Sequence, residues 1–212
     1  MRLIIFGPQG AGKGTQAERI AEKYQIPSIS TGEIFRWAMK GKTALGNRVS
    51  AYVDAGKLVP DELTIGVVSE RIGADDCADG FLLDGFPRNV DQAKALDVLL
   101  RDVEVTLDAA LVIDVPEEES IRRLTGRRVC ENCGHNYHVD SPPEKNWTCD
   151  ICGGNVVARS DDTEDGIRER LRNYNESTTP LRQYYEERGL LKEVSGIGSP
   201  DEVFSRIVEA LG

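Results

Sequence analysis

Short apolar runs alternate along this chain with longer segments of helical period. Leu3 to Phe6 reads as a buried strand closed by a glycine-rich turn, and Thr15 to Tyr24 places Ala17, Ile20 and Ala21 at helical spacing. Further strands are predicted at Ile26–Ser30, at Phe81-Leu82-Leu83 running into Asp84, at Ala109–Val115 and at Leu190–Val194. Strands separated by helices imply a parallel sheet covered on both faces. Two stretches break the alternation. Residues 30–59 look helical and polar, and residues 127–159 are rich in Cys, Gly, Pro and Asn, which makes them poor core. The pattern therefore predicts a core from 1–29, 60–126 and 160–212, with the two excursions as its moving parts.

A chain of 212 residues suits one globular core with insertions. The net charge of −10 argues against nucleic-acid or anionic-membrane partners, which would be repelled. No apolar run approaches the roughly 20 residues needed to span a bilayer. The segment Met1–Phe6 is too short for a signal peptide, so a cytoplasmic address is expected. In a reducing compartment, the pairs Cys130/Cys133 and Cys149/Cys152 suggest a metal rather than disulfides. Four thiolates leave no open ligand position, so the metal should be structural. Zinc is expected and iron is the alternative; His135 and His138 are read as bystanders. Cys77 reads as a small buried apolar residue.

The turn Gly7-Pro8-Gln9-Gly10-Ala11-Gly12-Lys13-Gly14-Thr15 follows a strand and opens a helix. Backbone N–H groups there can converge on phosphate oxygens, and Lys13 can bridge the outer phosphates. The strict motif has Ser or Thr directly after the lysine, whereas here Gly14 intervenes before Thr15. Asp84 ends a strand, as a magnesium-holding acid would, while Asp114 reads as part of a helix start. Arg123 and Arg127 are spaced to share a helix face if the helix extends that far. Arg128 follows at the start of the second excursion, Arg159 closes it, and Arg170 lies in the next helix. Arg122, Arg168 and Arg172 are expected to pair with neighbouring glutamates. Both histidines fall inside 127–159, away from the phosphate turn, which disfavours a histidine-based hydrolase.

Gly10-Ala11-Gly12-Lys13-Gly14-Thr15-Gln16, Ser30-Thr31-Gly32, Asp84-Gly85-Phe86-Pro87-Arg88 and Gly126-Arg127-Arg128 together resemble the ordered signatures of adenylate kinases. The match runs essentially end to end and includes a long lid. Two positions depart from the family pattern: the turn reads Gly-Pro-Gln-Gly rather than Gly-x-Pro-Gly, and Glu33 stands where Asp is usual. The resemblance implies an α/β fold of the P-loop NTPase type, a parallel five-stranded sheet carrying an AMP-binding insertion and a zinc-bearing lid. It implies transfer of the terminal phosphoryl group of MgATP to AMP, giving two ADP, by a monomer. ATP would meet Gly10, Ala11, Gly12, Lys13, Gly14, Thr15, Arg123, Arg127, Asn136, Tyr137 and Gly198. AMP would meet Thr31, Arg36, Lys57, Leu58, Val59, Gly85, Phe86, Pro87, Arg88 and Gln92, with Arg159 and Arg170 aligning both substrates. Lys13, Asp84, Arg88, Arg123, Arg159 and Arg170 would carry the catalysis.

The chemistry agrees with these placements. Arg36 and Arg88 can each fork two hydrogen bonds to a phosphate, and Gln92 offers a donor and an acceptor to an adenine edge. An acceptor phosphate oxygen needs no general base. Taken alone, several of these residues have plainer readings: Thr31 as a helix N-cap, Gln92 on a helix surface, Tyr137 packed on the cysteine knuckles. Other readings of the whole chain are a kinase for UMP, CMP or GMP, a zinc-ribbon nucleic-acid module on an NTPase, and a GTP-operated switch. The last lacks any Asn-Lys-x-Asp signature.

Overall fold

Leu3, Ile4, Ile5 and Phe6 are all buried because strand β1 (Arg2–Phe6) lies at the centre of a sheet covered on both faces. The computed structural model describes residues 1–212. β1 pairs in parallel with β3 (Phe81–Asp84) and β4 (Ala109–Asp114). β2 (Ser28–Ser30) and β8 (Leu191–Ser195) complete the five-stranded order β2-β3-β1-β4-β8. Alternate side chains feed two cores. Leu3, Ile5, Leu82, Leu111 and Ile113 join Ala17 and Ile20 of α1 (Lys13–Tyr24) and Val203 and Ile207 of α9 (Pro200–Leu211). Ile4, Phe6, Leu83 and Val112 join Ala93 and Leu96 of α5 (Val90–Asp102) and Tyr185 of α8 (Leu181–Glu186). All five predicted strands are present, and all are parallel.

The first excursion is a pair of helices, α2 (Thr31–Lys40) and α3 (Ala44–Asp54), capped by Ser30 and Thr43. They share a small core of Phe35, Val49 and Val59. Their backbones approach so closely that a Cβ on Gly46 would lie 2.1 Å from the Ala38 carbonyl oxygen. Helix α4 (Asp61–Ile72) returns the chain to the sheet.

After α6 (Glu117–Gly126) comes the second excursion, an antiparallel sheet in the order β6-β5-β7. Its strands are β5 (Arg127–Cys130), β6 (Asn136–His138) and β7 (Val156–Ala158). Here the sequence expectation needs correction: the helix does not carry through Arg127. Arg127 is extended (φ −65°, ψ 138°), so the helix stops at Gly126 and Arg123 and Arg127 sit on different elements. The stop falls at a glycine that the fold requires, since a Cβ on Gly126 would meet the His138 ring at 2.1 Å. α7 (Glu164–Asn173) then runs through a π-helical turn, Tyr174–Thr178, toward α8. No helix is long and apolar enough to cross a membrane.

Candidate active site

A cleft of about 1190 Å³ opens over the C-terminal ends of β1 and β3, between the helical excursion and the small sheet. This edge of a parallel sheet is where ligands bind in open α/β folds. The turn after β1 forms its floor. Gly7, Gly10 and Gly12 all have positive φ. At Gly7 a Cβ would stand 2.2 Å from the Ile113 carbonyl, and at Gly10 2.7 Å from that of Ser120, so the turn tolerates no side chain there. Gly12 caps α1 without any side-chain bond, leaving first-turn N–H groups for a ligand. The Lys13 ammonium arches back to donate to the carbonyls of Gly7 (2.9 Å) and Pro8 (2.8 Å). Burial lowers its pKa to about 8; Asp84 opposes the shift, while Arg88, Arg127 and Arg159 add to it. Thr15 is exposed at the rim, and the Oε1 of Gln9, in the displaced-proline position, is buried without a partner.

On the other side, Thr31 is buried at the start of α2. Its hydroxyl donates to the Gly85 carbonyl (2.9 Å), which also accepts from Arg88 Nε (2.7 Å). Ser30, rather than Thr31, is the helix cap. Arg36 is lowered to about 10 by burial and then by repulsion from Arg159. Lys57, Leu58, Val59, Gly85, Pro87 and Arg88 line the cleft, whereas the ring of Phe86 is buried in the main core, leaving only its backbone near the site. Gln92 is 1% exposed, not on a helix surface. Its Oε1 accepts from the Arg88 N–H (2.8 Å), and its Nε2 donates to Asp61 (2.6 Å).

The roof is cationic. Arg123 reaches the carbonyls of Gly10 (3.4 Å) and Gly196 (3.0 Å) while Glu119 holds its Nε at 2.6 Å. Arg127 makes a two-pronged pair with Asp162, and Arg159 another with Asp161. Arg170, buried, bonds to both acids. Although burial opposes its ionisation, the guanidiniums of Arg159, Arg170 and Arg127 hold Asp161 well below the usual carboxylate range. Sequence reasoning missed the part played by Asp161, Asp162 and Asp61. The only signal for the first two is their position two and three residues after Arg159, and Asp61 gives none. Arg122, Arg168 and Arg172 do pair with Glu119, Glu164 and Glu169, and Asp114 pairs with Arg182.

Within the small sheet the four sulfurs of Cys130, Cys133, Cys149 and Cys152 lie within 4.8 Å of one another. Cys130 and Cys152 are 3.4 Å apart, Cys133 and Cys149 3.7 Å. Thiolates bound to one tetrahedral ion at about 2.3 Å stand about 3.8 Å apart, so the set fits zinc. Gly134 and Gly153 turn each knuckle with positive φ, and their N–H groups bond back to Cys130 and Cys149. Tyr137 belongs largely to this cluster. Its hydroxyl donates to Cys149 Sγ (3.4 Å) and accepts from the Asp150 N–H (2.8 Å), while its ring stacks edge-on against His135. Asn136, Tyr137 and Gly198 also line the cleft.

A glycine-walled anion cradle at a strand–helix corner, roofed by guanidiniums on a second and third unit, defines a P-loop phosphotransferase of the α/β class. The adenylate kinase family model matches residues 5–190. The chain is 54% identical to an adenylate kinase of Clostridium botulinum (strain 657 / Type Ba4), over 100% of this chain and 99% of that one. It is 53% identical to one from Desulfitobacterium hafniense (strain DSM 10664 / DCB-2), covering 100% and 98%, and 53% to one from Carboxydothermus hydrogenoformans, covering 100% and 99%. The chain belongs to the adenylate kinase family.

Proposed function

We propose that this chain moves the terminal phosphoryl group of MgATP onto AMP, reversibly, giving two ADP, with the roles below for its residues. The observation that carries the reading is the convergence of Lys13, Arg36, Arg88, Arg123, Arg127, Arg159 and Arg170 on one cleft. ATP phosphates lie on the N–H groups of Gly10 to Thr15 with Lys13 beside them; Arg123 and Arg127 hold the chain from above, and Gly198 and Asn136 border the nucleoside. Tyr137 contributes mainly by bracing the cysteine cluster. AMP sits against Thr31, Lys57–Val59 and Gly85, its phosphate forked by Arg36 and Arg88 and its base read by Gln92.

Phosphoryl transfer leaves little covalent work for the protein, so positioning and charge provide the catalysis. Arg159 and Arg170 are held by Asp161 and Asp162 in a fixed fork, so they need little reorganisation as charge spreads over the transferred group. Asp84 would hold magnesium, directly or through water; bound with ATP, the ion neutralises phosphate oxygens. The attacking phosphate oxygen is already ionised, and no side chain need remove a proton. Residues 30–59 and 127–159 close over the substrates and exclude water, which suppresses hydrolysis. Zinc in the cysteine set stiffens the second flap. A cytoplasmic monomer without nucleic-acid or membrane partners completes the reading.

The test is a coupled assay with MgATP against AMP, UMP, CMP and GMP. The expected result is a strong preference for AMP; comparable turnover of UMP or GMP would sink the substrate assignment.

A further inference from the structure

Gln92 is fixed at both ends of its amide by groups that cannot exchange roles. A carboxylate only accepts, and a backbone N–H only donates. Asp61, at the start of α4, takes the Nε2–H at 2.6 Å, and the Arg88 N–H meets Oε1 at 2.8 Å. Asp61 is itself held from the other side by Asn89 Nδ2, 3.1 Å from each carboxylate oxygen. The Asn89 side chain in turn caps α5 by accepting from the Gln92 N–H at 2.8 Å. A flipped amide would set a carbonyl oxygen against the carboxylate and N–H against N–H, in a position only 1% exposed, where such a mismatch is costly.

An amide carries two N–H groups and a carbonyl with two lone pairs. With one of each already used, one N–H and one lone pair remain for the cleft that Gln92 lines. That is the complement of a 6-amino purine edge, whose N1 accepts and whose amino group donates. A 6-oxo purine presents N1–H and a carbonyl, the reverse. Resting on the adenine reading of Gln92 proposed above, we infer that Asp61 is a positioning residue that fixes the sense of the Gln92 amide and so makes the acceptor site select 6-amino over 6-oxo purine monophosphates. Cytosine shares the adenine pattern, so this device sorts the exocyclic group and leaves ring size to the shape of the cleft.

The experiment compares kcat and KM for AMP and inosine monophosphate in wild type, Asp61→Asn, Asp61→Glu, Gln92→Ala and the double variant that combines Asp61→Asn with Gln92→Ala. An asparagine side chain in place of Asp61 can either accept from or donate to Gln92, so the flipped sense loses its mismatch at that end and only the Arg88 N–H still opposes it. Asp61→Asn is expected to lower the AMP-to-inosine ratio of kcat/KM by about tenfold or more, the scale of one mismatched hydrogen bond in a site built for it. The loss should fall on KM for AMP, with kcat little changed, and Asp61→Glu should recover part of the ratio. In the Gln92→Ala background, Asp61→Asn should leave the ratio where Gln92→Ala put it. A parallel loss on both substrates, with the ratio intact, makes Asp61 a merely structural residue and overturns the inference. If Gln92→Ala lowers the ratio and Asp61→Asn does not, orientation by Asp61 fails while the adenine reading stands. If Gln92→Ala leaves the ratio unchanged, both fail. Should Asp61→Asn not fold, Asp61→Ser, whose hydroxyl can also accept or donate, provides the same comparison.

Discussion

Lys13 is a weak base for a lysine, lowered to about 8 by burial among arginines, and phosphate oxygens reverse that environment. The free side chain is therefore partly neutral at pH 8 and must take up a proton to meet ATP. Affinity for ATP should be full below pH 8 and fall about tenfold per pH unit above it until the bound-state pKa is reached. Titration calorimetry from pH 7 to 9.5 in buffers of different ionisation heat measures both the affinity and the proton uptake; a flat profile would show that Lys13 is not what titrates. In the free enzyme the sign is opposite. The lowered pKa of the folded state costs stability, so that cost fades as pH rises from about 8 toward the unfolded-chain value near 10.5. Arg88→Ala should lower kcat/KM about 100-fold or more, and Lys at that position should restore little, because a point charge cannot fork a phosphate. Of the cations proposed for catalysis, Lys13 and Arg88 were readable because each sits in a short ordered motif, whereas Arg123, Arg159 and Arg170 came only through the family resemblance. Their partners were not readable. Asp161 and Asp162 take their meaning from Arg127 and Arg170, which only the fold brings beside them, and Gln92 has the spacing of a surface residue until α4 packs Asp61 over it.

At the scale of elements, the sheet was legible because a parallel strand buried on both faces must be apolar throughout, as Ala109–Ile113 is. The end of α6 was not. Gly126 is a stop signal, but the four-residue spacing of Arg123 and Arg127 argues for continuing, and only the fold shows the His138 ring of β6 packed against Gly126. The two flaps also differ in what holds them. The helical one relies on backbone approach: Gly46→Ala would force a Cβ to within 2.1 Å of the Ala38 carbonyl and should destabilise it by about 1–3 kcal/mol. Raised KM for AMP with KM for ATP nearly unchanged is the expected kinetic trace. The small sheet has a buried core of only Cys130, Cys149 and Val156, too little to order it alone. Removing the metal by chelation, or replacing Cys149 by Ser, should lower the melting temperature and abolish amide-exchange protection across 127–159 while the central sheet stays protected. Unaltered protection there would remove the structural-zinc assignment.

Across the whole molecule, the flaps meet. The Lys40 ammonium on α2 donates to the Glu131 carbonyl on the small sheet at 2.6 Å, while lying 5.2 Å from the Trp37 ring. If the two units close on the core as proposed, this bond couples them at their far edges. Its exposed position limits its worth to about 1 kcal/mol, or about fivefold in an open–closed equilibrium. Lys40→Ala removes the contact without touching the phosphate cradle or the arginines. The open population of the free enzyme should rise by up to about fivefold, and both KM values should rise together because substrate binding must now supply that closure energy. Where flap opening limits turnover, kcat should increase rather than fall. Energy transfer between dyes on the two flaps, read with steady-state kinetics on the same variant, distinguishes this from a local effect. A change in KM for one substrate alone, with the dye distance unmoved, would mean that Lys40 acts on its own flap and the two close without reference to each other.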